Sequence, residues 1–489
     1  MTRTLLAIDA GTTGVTAILF DEHLEPLARS TREFEQLFPE PGRVEHEAQA
    51  ILQALDATLA EVLRGVSDAP AAVGITNQRE TVFALDLEQG RALGTGIVWQ
   101  DRRTAARCGE LKAAGHEDLY RTRTGLVLDP YFSGTKIEWL LAQREGVADA
   151  ARAGRVRFCT VDALIVQHLT AGERCATDPT NASRTLLYDI DAKDWSAELA
   201  APLGIDLAWL PEVQPSISDF GEARLPGGLR SVIHGIAGDQ QAALFGQGCL
   251  SEGSFKNTYG TGCFLLLNTG ERRVDSSSGL LTTLAVGPAG APCYALEGSV
   301  FSGGLIVQWL RDGLGILDSV AECEALAREV PDSAGVFLVP AFAGLGAPYW
   351  DPEARAALLG LTRGTRRAHI ARAALEAIAL QCAEIVDLLR ADTGLAIDEL
   401  LVDGGASAND LLLSLQADVA GLNVVRPPQV EATARGAAAL AGMGVGLWQD
   451  PAEVLGARGD GERFTPHIDS AQRAEWLARW RGAVARVRS

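Results

Sequence analysis

The stretch AIDAGTTGVTAILF, Ala7 to Phe20, places an aspartate, two glycines and two adjacent threonines between two apolar runs. The runs Leu5 to Ile8 and Val15 to Phe20 predict two strands joined as a hairpin. A simple turn needs fewer polar groups. Glycine permits positive φ and the close approach of a ligand, so backbone N–H groups and threonine hydroxyls can surround a phosphate. The stretch therefore suggests a phosphate-binding turn, although a plain hairpin turn explains most such sequences taken singly.

Two further glycine turns follow apolar runs later in the chain. One is Tyr259-Gly-Thr-Gly262, inside GSFKNTYGTGCFLLLNTG (Gly253 to Gly270), and the other is Asp403-Gly-Gly-Ala406. None of the three turns matches the patterns GxxxxGK[ST] or GxGxxG. Because Gly253 to Gly270 repeats the order strand, polar turn and strand, an internal duplication of a nucleotide-holding hairpin is plausible. Three such turns in one chain favour a nucleotide site.

The rest of the chain alternates between predicted helices and strands. AAVGITNQRETVFALD predicts a strand, a polar bend at Asn77 to Glu80 and a second strand, while His369 to Gly394 predicts a long helix. A strand, ELLVDGG, and a helix from Ala408 follow. A helix is also predicted in Glu45 to Val66 by the spacing of its apolar residues, Ile51, Leu52, Leu55, Leu59 and Val62. This alternation is typical of α/β layers.

Length, charge and cysteine usage limit the class of protein. A chain of 489 residues favours two large domains, and a boundary within Phe245 to Glu252 divides it into residues 1–248 and 249–489. With 63 acidic and 43 basic residues, nucleic acid and anionic membranes are not expected as partners. The eight cysteines form no CxxC pair, so we expect reduced thiols and a cytoplasmic location. No membrane insertion is expected, since the most apolar run, Gly436 to Trp448, is short and fits a buried helix.

Two aspartates stand where carboxylate chemistry is possible. Asp9 directly follows an apolar strand, where it is either a solvated turn acid or a group that holds Mg²⁺ beside a phosphate. Asp239, in GIAGDQQAAL, opens a predicted helix, so it is either an N-cap or a general base for an acceptor alcohol. Composition does not decide between these interpretations.

The pair Arg79 and Glu80 is the third candidate. Such a pair is most often a surface feature, but facing a cavity it supplies donors and an acceptor for the hydroxyls of a small polyol. The aromatic residues Trp99, Tyr131 and Phe264 can contact a carbon skeleton, although without further context a place in the core is the more common explanation for each.

Several of these motifs together resemble the FGGY carbohydrate kinases, and among them the members that phosphorylate glycerol. The resemblance extends in unbroken order from about Leu6 to the helix near Trp448, and Gly360 to Glu376 is similar to the family's second signature. The stretches that carry it are GITNQRET (Gly74 to Thr81), IVWQDRRT (Ile97 to Thr104), YFSGTKIEWLL (Tyr131 to Leu141), GIAGDQQAALFGQ (Gly235 to Gln247), KNTYGTGCFLLLNTG (Lys256 to Gly270), PAFAGLGAPYWDPEARA (Pro340 to Ala356) and VDGGASAND (Val402 to Asp410).

The resemblance implies an α/β fold of two ribonuclease H-like domains, the architecture of actin and hexokinase, around a central cleft. It implies ATP and Mg²⁺ as cofactors and the reaction ATP + glycerol → ADP + sn-glycerol 3-phosphate. Family members commonly form dimers or tetramers, so a homo-oligomer is expected.

The resemblance also assigns expected roles to individual positions. Asp239 matches the catalytic base, and Asp9 matches the group that organises Mg²⁺ together with Asp239. The positions that match glycerol-binding residues are Arg79, Glu80, Trp99, Tyr131, Asp239, Gln240 and Phe264. The positions that match the nucleotide side are Thr12, Thr13, Gly14 and Thr16 in the first turn, Thr261 in the second, and Gly304, Gln308, Gly405 and Asn409 beside the nucleotide.

Two departures from the family pattern carry expectations of their own. The first turn commonly reads Asp-Gln-Gly-Thr-Thr-Ser-Ser-Arg, so Thr16 replaces a nucleotide-side arginine and electrostatic attraction of the phosphates should be weaker. Members inhibited by fructose 1,6-bisphosphate carry a Gly-Lys-Gly-Gly-Thr-Arg loop, whereas Arg224 to Val232 reads RLPGGLRSV. Without that lysine, regulation by the bisphosphate is not expected.

Two other classes of function share parts of this pattern. A kinase for another sugar or polyol has the same fold, but Arg79-Glu80 and IVWQDRRT are the glycerol-type substrate motifs. An actin-like or heat-shock-type ATPase shares the phosphate hairpins and needs no polyol pocket. ATP turnover independent of any alcohol distinguishes the last class.

Overall fold

The computed structural model describes residues 3–428, 431–456 and 461–489. The chain forms two compact units, and both are discontinuous in sequence. The first comprises Met1–Leu250, Thr282–Tyr294 and Ala432–Ala457, and the second comprises Ser251–Leu281, Ala295–Glu431 and Arg458–Ser489. Each unit is described by itself below.

The elements of the first 250 residues all belong to the first unit. Its strands there are β1 (Leu5–Ala10), β2 (Gly14–Phe20), β3 (Pro26–Glu33), β4 (Glu45–His46), β5 (Ala72–Asn77), β6 (Val82–Asp86), β7 (Arg91–Ala92), β8 (Gly96–Ile97), β9 (Val156–Thr160), β10 (Ala176–Thr177), β11 (Tyr188–Asp189), β12 (Asp194–Trp195), β13 (Glu212–Val213), β14 (Glu222–Arg224) and β15 (Arg230–Gly238). Its helices there are α1 (Ala48–Val62), α2 (Ala105–Ala113), α3 (Glu117–Thr124), α4 (Ser133–Gln143), α5 (Val147–Arg152), α6 (Val161–Leu169), α7 (Pro179–Ala182), α8 (Ala197–Ala200) and α9 (Asp239–Gly246).

The remaining elements follow in chain order. The strands are β16 (Phe255–Tyr259), β17 (Cys263–Gly270), β18 (Leu281–Val286), β19 (Pro292–Val300), β20 (Phe337–Val339), β21 (Ala357–Leu359), β22 (Glu399–Asp403), β23 (Asn423–Arg426) and β24 (Glu462–Phe464). The helices are α10 (Leu305–Asp312), α11 (Glu322–Ala327), α12 (Arg367–Thr393), α13 (Asp410–Ala420), α14 (Ala432–Gly444), α15 (Ala452–Leu455) and α16 (Ser470–Val484).

The main sheet of the first unit has the strand order β14-β15-β5-β1-β2-β3. β1 is antiparallel to β2 and parallel to β5, and β5 is parallel to β15, so the predicted opening hairpin is confirmed. One face of β1 packs in a core that includes residues of α1, and the other face packs in a core that includes residues of α14. Burial on both faces explains why β1 is a continuous apolar run up to Asp9.

Helix α14 belongs to the first unit although it lies far beyond residue 248. It packs so closely on the sheet that a Cβ at Gly74 would lie 2.0 Å from the Ala437 carbonyl oxygen, and a Cβ at Gly235 would lie 2.6 Å from the Ala441 nitrogen. Glycine at these two positions is required by that approach. This contact between distant segments explains why the first unit is discontinuous in sequence. The predicted division into residues 1–248 and 249–489 places α14 in the wrong unit.

The second unit repeats the strand arrangement around its own glycine hairpin. β16 is antiparallel to β17 and parallel to β22, β22 is parallel to β23, and β24 is antiparallel to β23. The order β17-β16-β22-β23-β24 therefore matches β2-β1-β5-β15-β14 of the first unit in spatial position and in direction, although β24 follows β23 in the chain whereas β14 precedes β15. The repeat suggested by the two hairpin sequences is present at the level of the sheets.

Most predicted elements are confirmed. The helices α1, α12 and α13 and the strand β22 form where the sequence predicted them. The structure adds β3, which was not predicted and lies between the hairpin and α1, and it shows that β6 pairs with β8 and β9 in a sheet separate from that of β5. None of the helices in the described part of the chain combines the length and the apolar character needed to cross a membrane.

Candidate active site

Three parallel strands of the first unit end side by side, and each end carries candidate residues. In the register of the sheet, Asp9 of β1 is opposite Thr76 of β5, and Thr76 is opposite Ala237 of β15. Neighbouring strands lie about 4.8 Å apart, so residues that follow these positions meet at one edge of the sheet. Arg79 follows β5 by two residues and Asp239 follows β15 directly. The fold therefore brings together candidates that are separated by more than two hundred residues in sequence.

The turn after β1 is held by contacts to its backbone and to Thr12. Within the turn, the Gly11 N–H donates to the Gly14 carbonyl at 3.0 Å. The Gln78 side-chain amide donates to the Gly11 carbonyl at 3.0 Å. The Trp99 indole N–H donates to the Thr12 hydroxyl at 3.0 Å. The predicted phosphate turn is thus hydrogen-bonded directly to Trp99, one of the aromatic residues predicted to contact a carbon skeleton.

The conformation of the glycines in this turn separates the two reasons for glycine given above. Neither Gly11 nor Gly14 adopts positive φ. A Cβ at Gly14 would lie 2.8 Å from the Arg32 carbonyl oxygen of β3, so glycine is required there by a neighbouring strand. Positive φ is therefore not the reason for glycine at either position, and the close approach of a ligand stays a prediction.

Arg79 is buried, which contradicts its interpretation as half of a surface pair. Its side chain is 2% exposed, and its Nε lies 3.3 Å from Oδ1 of Asp239. Its two terminal nitrogens donate to the Gln241 side chain at 3.2 Å and to the Tyr131 hydroxyl at 3.4 Å. A Cβ at Gly238 would lie 2.8 Å from Cγ and Cδ of Arg79, so the absence of a side chain there lets the guanidinium reach Asp239.

Glu80 is also buried and its backbone is strained. It has φ of 61°, a conformation that residues other than glycine rarely adopt outside tight turns and functional sites. Its Oε1 accepts a hydrogen bond from Nε of Arg184 at 2.7 Å, and its carbonyl oxygen accepts one from the Ser133 hydroxyl at 2.9 Å. Two separate segments thus fix both the side chain and the backbone of Glu80.

Asp239 is the first residue of α9, and Gly238 is the N-cap. The N-cap explanation of Asp239 is therefore wrong, because Asp239 lies inside the helix at its first position. Oδ1 accepts from the Gln240 N–H at 2.8 Å and lies near Arg79, while Oδ2 accepts from the Gln240 side chain at 3.0 Å. A carboxylate has about four acceptor positions, so these contacts orient the group and leave capacity for a further donor. The side chain is 28% exposed.

The aromatic candidates of the first unit pack against each other. The rings of Trp99 and Tyr131 are edge to face with centroids 5.8 Å apart, and Tyr131 is 2% exposed. Nζ of the buried Lys136 donates to the Tyr131 carbonyl at 2.8 Å, and burial lowers the pKa of this lysine to about 8. Tyr131 is therefore fixed through its backbone, its ring and its hydroxyl.

A segment that sequence reasoning missed, Asp178 to Thr185, supports the same residues. Asp178 caps α7, and the Thr180 hydroxyl accepts the Gly238 N–H at 2.8 Å, immediately before Asp239. The Asn181 and Asn77 side-chain amides bond to each other at 3.0 and 3.2 Å. Burial raises the pKa of Asp178. The Asp-Pro pair predicts a helix start from sequence, but nothing in the sequence predicts what that helix contacts.

Arg184, in the same segment, is a further residue that sequence reasoning missed. It is fully buried, and its guanidinium lies 5.6 Å from the Tyr131 ring centroid and 5.3 Å from that of Phe132, besides its bond to Glu80. An isolated arginine in a polar segment gives no sequence signal, since most arginines are exposed.

The remaining candidates lie in the second unit around its own hairpin. The carbonyl oxygens of Gly260 and Thr261 accept the N–H groups of Gly304 and Gly303, both at 2.8 Å. Gly404 has φ of 84°, and its Cβ position would lie 2.5 Å from the Tyr259 carbonyl oxygen. Asn409 is the N-cap of α13, Gln308 and Gly405 are exposed, and Phe264 is buried opposite Thr258. Thr261, Gly304 and the loop with Gly405 and Asn409 thus meet at the ends of β16 and β22.

The carboxylates in the first unit fit a Mg²⁺ ion that is bound by few protein ligands. No cluster of three or more histidine, cysteine or acidic side chains suited to a metal occurs within residues 3–428, 431–456 and 461–489. Mg²⁺ in phosphoryl-transfer sites is held by one or two carboxylates, with waters and substrate phosphates completing the shell. Asp9 and Asp239 supply such carboxylates, and the buried Thr76 hydroxyl, opposite Asp9 in the sheet, has no protein hydrogen-bond partner. A polar ligand at this edge would satisfy that hydroxyl.

Comparison with known proteins identifies relatives of both halves. Residues 4–246 match the N-terminal domain of the FGGY family of carbohydrate kinases, and residues 255–445 match its C-terminal domain. A glycerol kinase of Shewanella piezotolerans is 52% identical over 488 residues, which is 99% of each chain. A glycerol kinase of Shewanella amazonensis is 51% identical over 486 residues, covering 99% of this chain and 98% of the relative.

Solved structures agree with this assignment. The crystal structure of Plasmodium falciparum glycerol kinase with ADP matches with a TM-score of 0.90 and 35% identity, over 99% of this chain and 98% of the other. The gluconate kinase of Lactobacillus acidophilus matches with a TM-score of 0.85 over 99% of this chain and 97% of the other. At 20% identity, the second match supports the fold alone.

Proposed function

The chain belongs to the FGGY family of carbohydrate kinases, and from that premise we propose that it transfers the γ-phosphoryl group of ATP to glycerol. The product would be sn-glycerol 3-phosphate. The observation that carries the substrate is the group formed by the buried Arg79 and Glu80 and the partly exposed Asp239, in which Arg79 contacts both carboxylates. Such a group matches a ligand that offers hydroxyls and little apolar area.

The physical argument for a polyol rests on the burial of these charges. Arg79 and Glu80 are each 2% exposed, so hydrogen bonds to them are formed away from competing water. A molecule with three carbons gains little from apolar contact, and its affinity must come from directed hydrogen bonds. Trp99, Tyr131 and Gln240 surround the same strand ends and complete the proposed glycerol-binding residues of the first unit.

We propose Asp239 as the general base. Its orientation by Arg79 and Gln240 leaves room for the proton of an acceptor hydroxyl, and its partial exposure lets a substrate reach it. Asp9 and Asp239 would hold Mg²⁺, which when bound neutralises charge on the nucleotide phosphates. The proposed nucleotide residues are Thr12, Thr13, Gly14 and Thr16 in the first unit, and Thr261, Gly304, Gln308, Gly405 and Asn409 in the second. Phe264 remains a proposal for contact with the carbon chain.

Coupled measurement of ADP release on a panel of alcohols tests the substrate. We expect turnover with glycerol and little with xylulose or gluconate. Strong release with xylulose or gluconate and none with glycerol would replace glycerol as the substrate. ATP hydrolysis that does not depend on any alcohol, together with filament formation, would favour the actin-like class.

The substitution Asp239→Asn tests the general base. It is expected to lower kcat by about two to four orders of magnitude while the protein stays folded. Asp149→Asn, at a position that is 77% exposed, is the control and should retain activity. Unchanged turnover in Asp239→Asn would remove Asp239 from this role.

A cytoplasmic location and assembly as a dimer or tetramer are also proposed. They rest on the properties of the family members that the chain resembles. Light scattering of the purified protein determines the assembly, and a monomer at all concentrations would contradict it.

A further inference from the structure

The strained residue Glu80 is held from one side by a single buried arginine. Arg184 is fully buried and its Nε lies 2.7 Å from Oε1 of Glu80, closer than Nε of Arg79, which lies 3.9 Å from the same oxygen. Charge-assisted hydrogen bonds of this length are among the stronger side-chain contacts. Arg184 is therefore the main partner that fixes this carboxylate oxygen.

Arg184 also contacts the aromatic residue beside Glu80. Its guanidinium lies 5.6 Å from the ring centroid of Tyr131 and 5.3 Å from that of Phe132. A desolvated cation at this distance from the face of a ring is attracted by it. One side chain thus orients both Glu80 and Tyr131, two of the residues proposed to bind glycerol.

The backbone of Glu80 explains why such a partner is needed. A non-glycine residue with φ of 61° is less stable than in an extended or helical conformation, so the surrounding contacts must hold it there. The Ser133 hydroxyl fixes its carbonyl oxygen, but only a side-chain contact fixes the direction of its carboxylate. The guanidinium of Arg184 supplies that contact from a position within the core.

We infer that Arg184 is a positioning residue for glycerol, acting through the carboxylate of Glu80 and the ring of Tyr131. This inference deepens the proposed function and rests on it. Arg184 is three residues after Asn181, in the segment that also holds Gly238 next to Asp239, so one segment orients the proposed base and the proposed hydroxyl acceptor.

The variants Arg184→Met and Arg184→Lys test the inference in steady-state kinetics. Loss of a charge-assisted hydrogen bond corresponds to about a ten- to hundredfold change. We expect the KM for glycerol to rise by that factor in Arg184→Met and by less in Arg184→Lys, which keeps the charge without the fork geometry. The KM for ATP should change less than about threefold, as should kcat, because ground-state and transition-state binding are lost together.

Arg103→Met is the matched control. Arg103 is 2% exposed, pairs with Asp101 and Glu45 at 2.7 Å, and lies 4.5 Å from the ring centroid of Trp139. Its removal deletes a buried ion pair and a cation–ring contact elsewhere in the first unit. A lower melting temperature with an unchanged KM for glycerol is expected for Arg103→Met; the same result for Arg184→Met would make Arg184 purely structural.

A double-mutant cycle with Glu80→Gln tests whether Arg184 affects glycerol binding through Glu80. If Arg184 acts through Glu80, Arg184→Met should raise the KM for glycerol much less in the Glu80→Gln background than in the wild type. The double variant contains no unpaired buried charge, so it remains measurable even if Arg184→Met does not fold. Equal effects in both backgrounds would overturn the inference. Absence of glycerol phosphorylation by the wild type would instead refute the proposed function.

Discussion

The two glycine hairpins have the same place in their sheets but are held by different groups. In the first, Gly11 donates to Gly14 across the turn at 3.0 Å, and in the second, Gly260 donates to Gly262 at 2.9 Å. A side chain, Gln78, bonds to the Gly11 carbonyl of the first turn, and the backbone N–H of Phe34 bonds to the Thr13 carbonyl at 3.2 Å. In the second, backbone N–H groups of residues 303 and 304 bond to the turn carbonyls at 2.8 Å.

This difference determines which substitutions each hairpin tolerates. A turn held by a side chain is weakened when that side chain is replaced. A turn held by neighbouring backbone depends on close approach, and a Cβ at Gly262 would lie 2.4 Å from the Val300 carbonyl oxygen. The corresponding distance at Gly14 of the first hairpin is 2.8 Å, to the Arg32 carbonyl oxygen. We therefore expect both hairpins to be sensitive to changes in these glycines, the second more strongly, and the first to depend on a side chain as well.

Gly262→Ala should have the largest effect. The new methyl group collides with a backbone oxygen that cannot move without disturbing β19, so we expect a loss of about 3 kcal/mol in the free energy of unfolding. The KM for ATP should also rise, because Thr261 moves with the turn. Urea titration and nucleotide kinetics measure the two effects.

Gly260→Ala is the control for that collision. A Cβ at Gly260 would be 3.8 Å from its nearest neighbour, the Gly262 carbonyl oxygen, which is ordinary contact. Its loss of stability should be less than about 1 kcal/mol. Equal losses in the two variants would show that close approach of Val300 is not what requires glycine at residue 262.

Gln78→Leu tests the side-chain support of the first hairpin. The buried Gln78 amide donates to the Gly11 carbonyl and accepts from the Thr81 hydroxyl at 2.9 Å, so leucine leaves both groups unsatisfied at a cost of about 2 kcal/mol. We expect the KM for ATP to rise as well. Gln167→Leu removes an equally buried amide from α6 and should leave that KM unchanged.

Acid should weaken the same support through His46. Burial lowers the pKa of His46 to about 4 from 6.5, and its Nδ1 lies 3.3 Å from the Gln78 amide nitrogen. The unfolded chain then binds a proton between these pH values while the folded protein does not, so stability falls as pH decreases below 6.5. A decrease of one pH unit, from 6.5 to 5.5, lowers the free energy of unfolding by about 1 kcal/mol. His46→Leu should show a smaller decrease between pH 6.5 and 5.5 in urea titrations; an identical decrease would exclude His46 as its cause.

The sequence predicted the hairpins and their neighbours because those features are local. Apolar runs on either side of a polar glycine turn identified β1, β2, β16 and β17, and the three- and four-residue spacing identified α1. Asp9, Arg79 and Asp239 could be grouped only through the resemblance, since their proximity depends on the pairing of β1, β5 and β15. That pairing is set by contacts between distant segments.

The features that were missed depend on burial in three dimensions. Arg79 and Glu80 have the composition of a surface pair, and their burial depends on distant residues such as Gly238 and Arg184. Likewise, α14 joins the first unit through Gly74 and Gly235, which appear in the sequence as ordinary strand glycines. No periodicity reports which distant element approaches a glycine.

Replacement of Thr16 in the first hairpin is expected to have the smallest effect. It tests the electrostatic attraction of the nucleotide. Thr16 is directly opposite Asp9 in the sheet, and its hydroxyl bonds to Thr31 at 3.0 Å, where the family pattern has arginine. Thr16→Arg places a cation beside the proposed phosphate turn, and the partly exposed position limits the gain to about 1 kcal/mol, or about a fivefold lower KM for ATP. Thr31→Arg adds the same charge one strand, about 5 Å, further from Asp9 and should change that KM less. An equal gain from both variants would indicate general attraction of the nucleotide, and no gain from Thr16→Arg would mean that another group already supplies the missing cation.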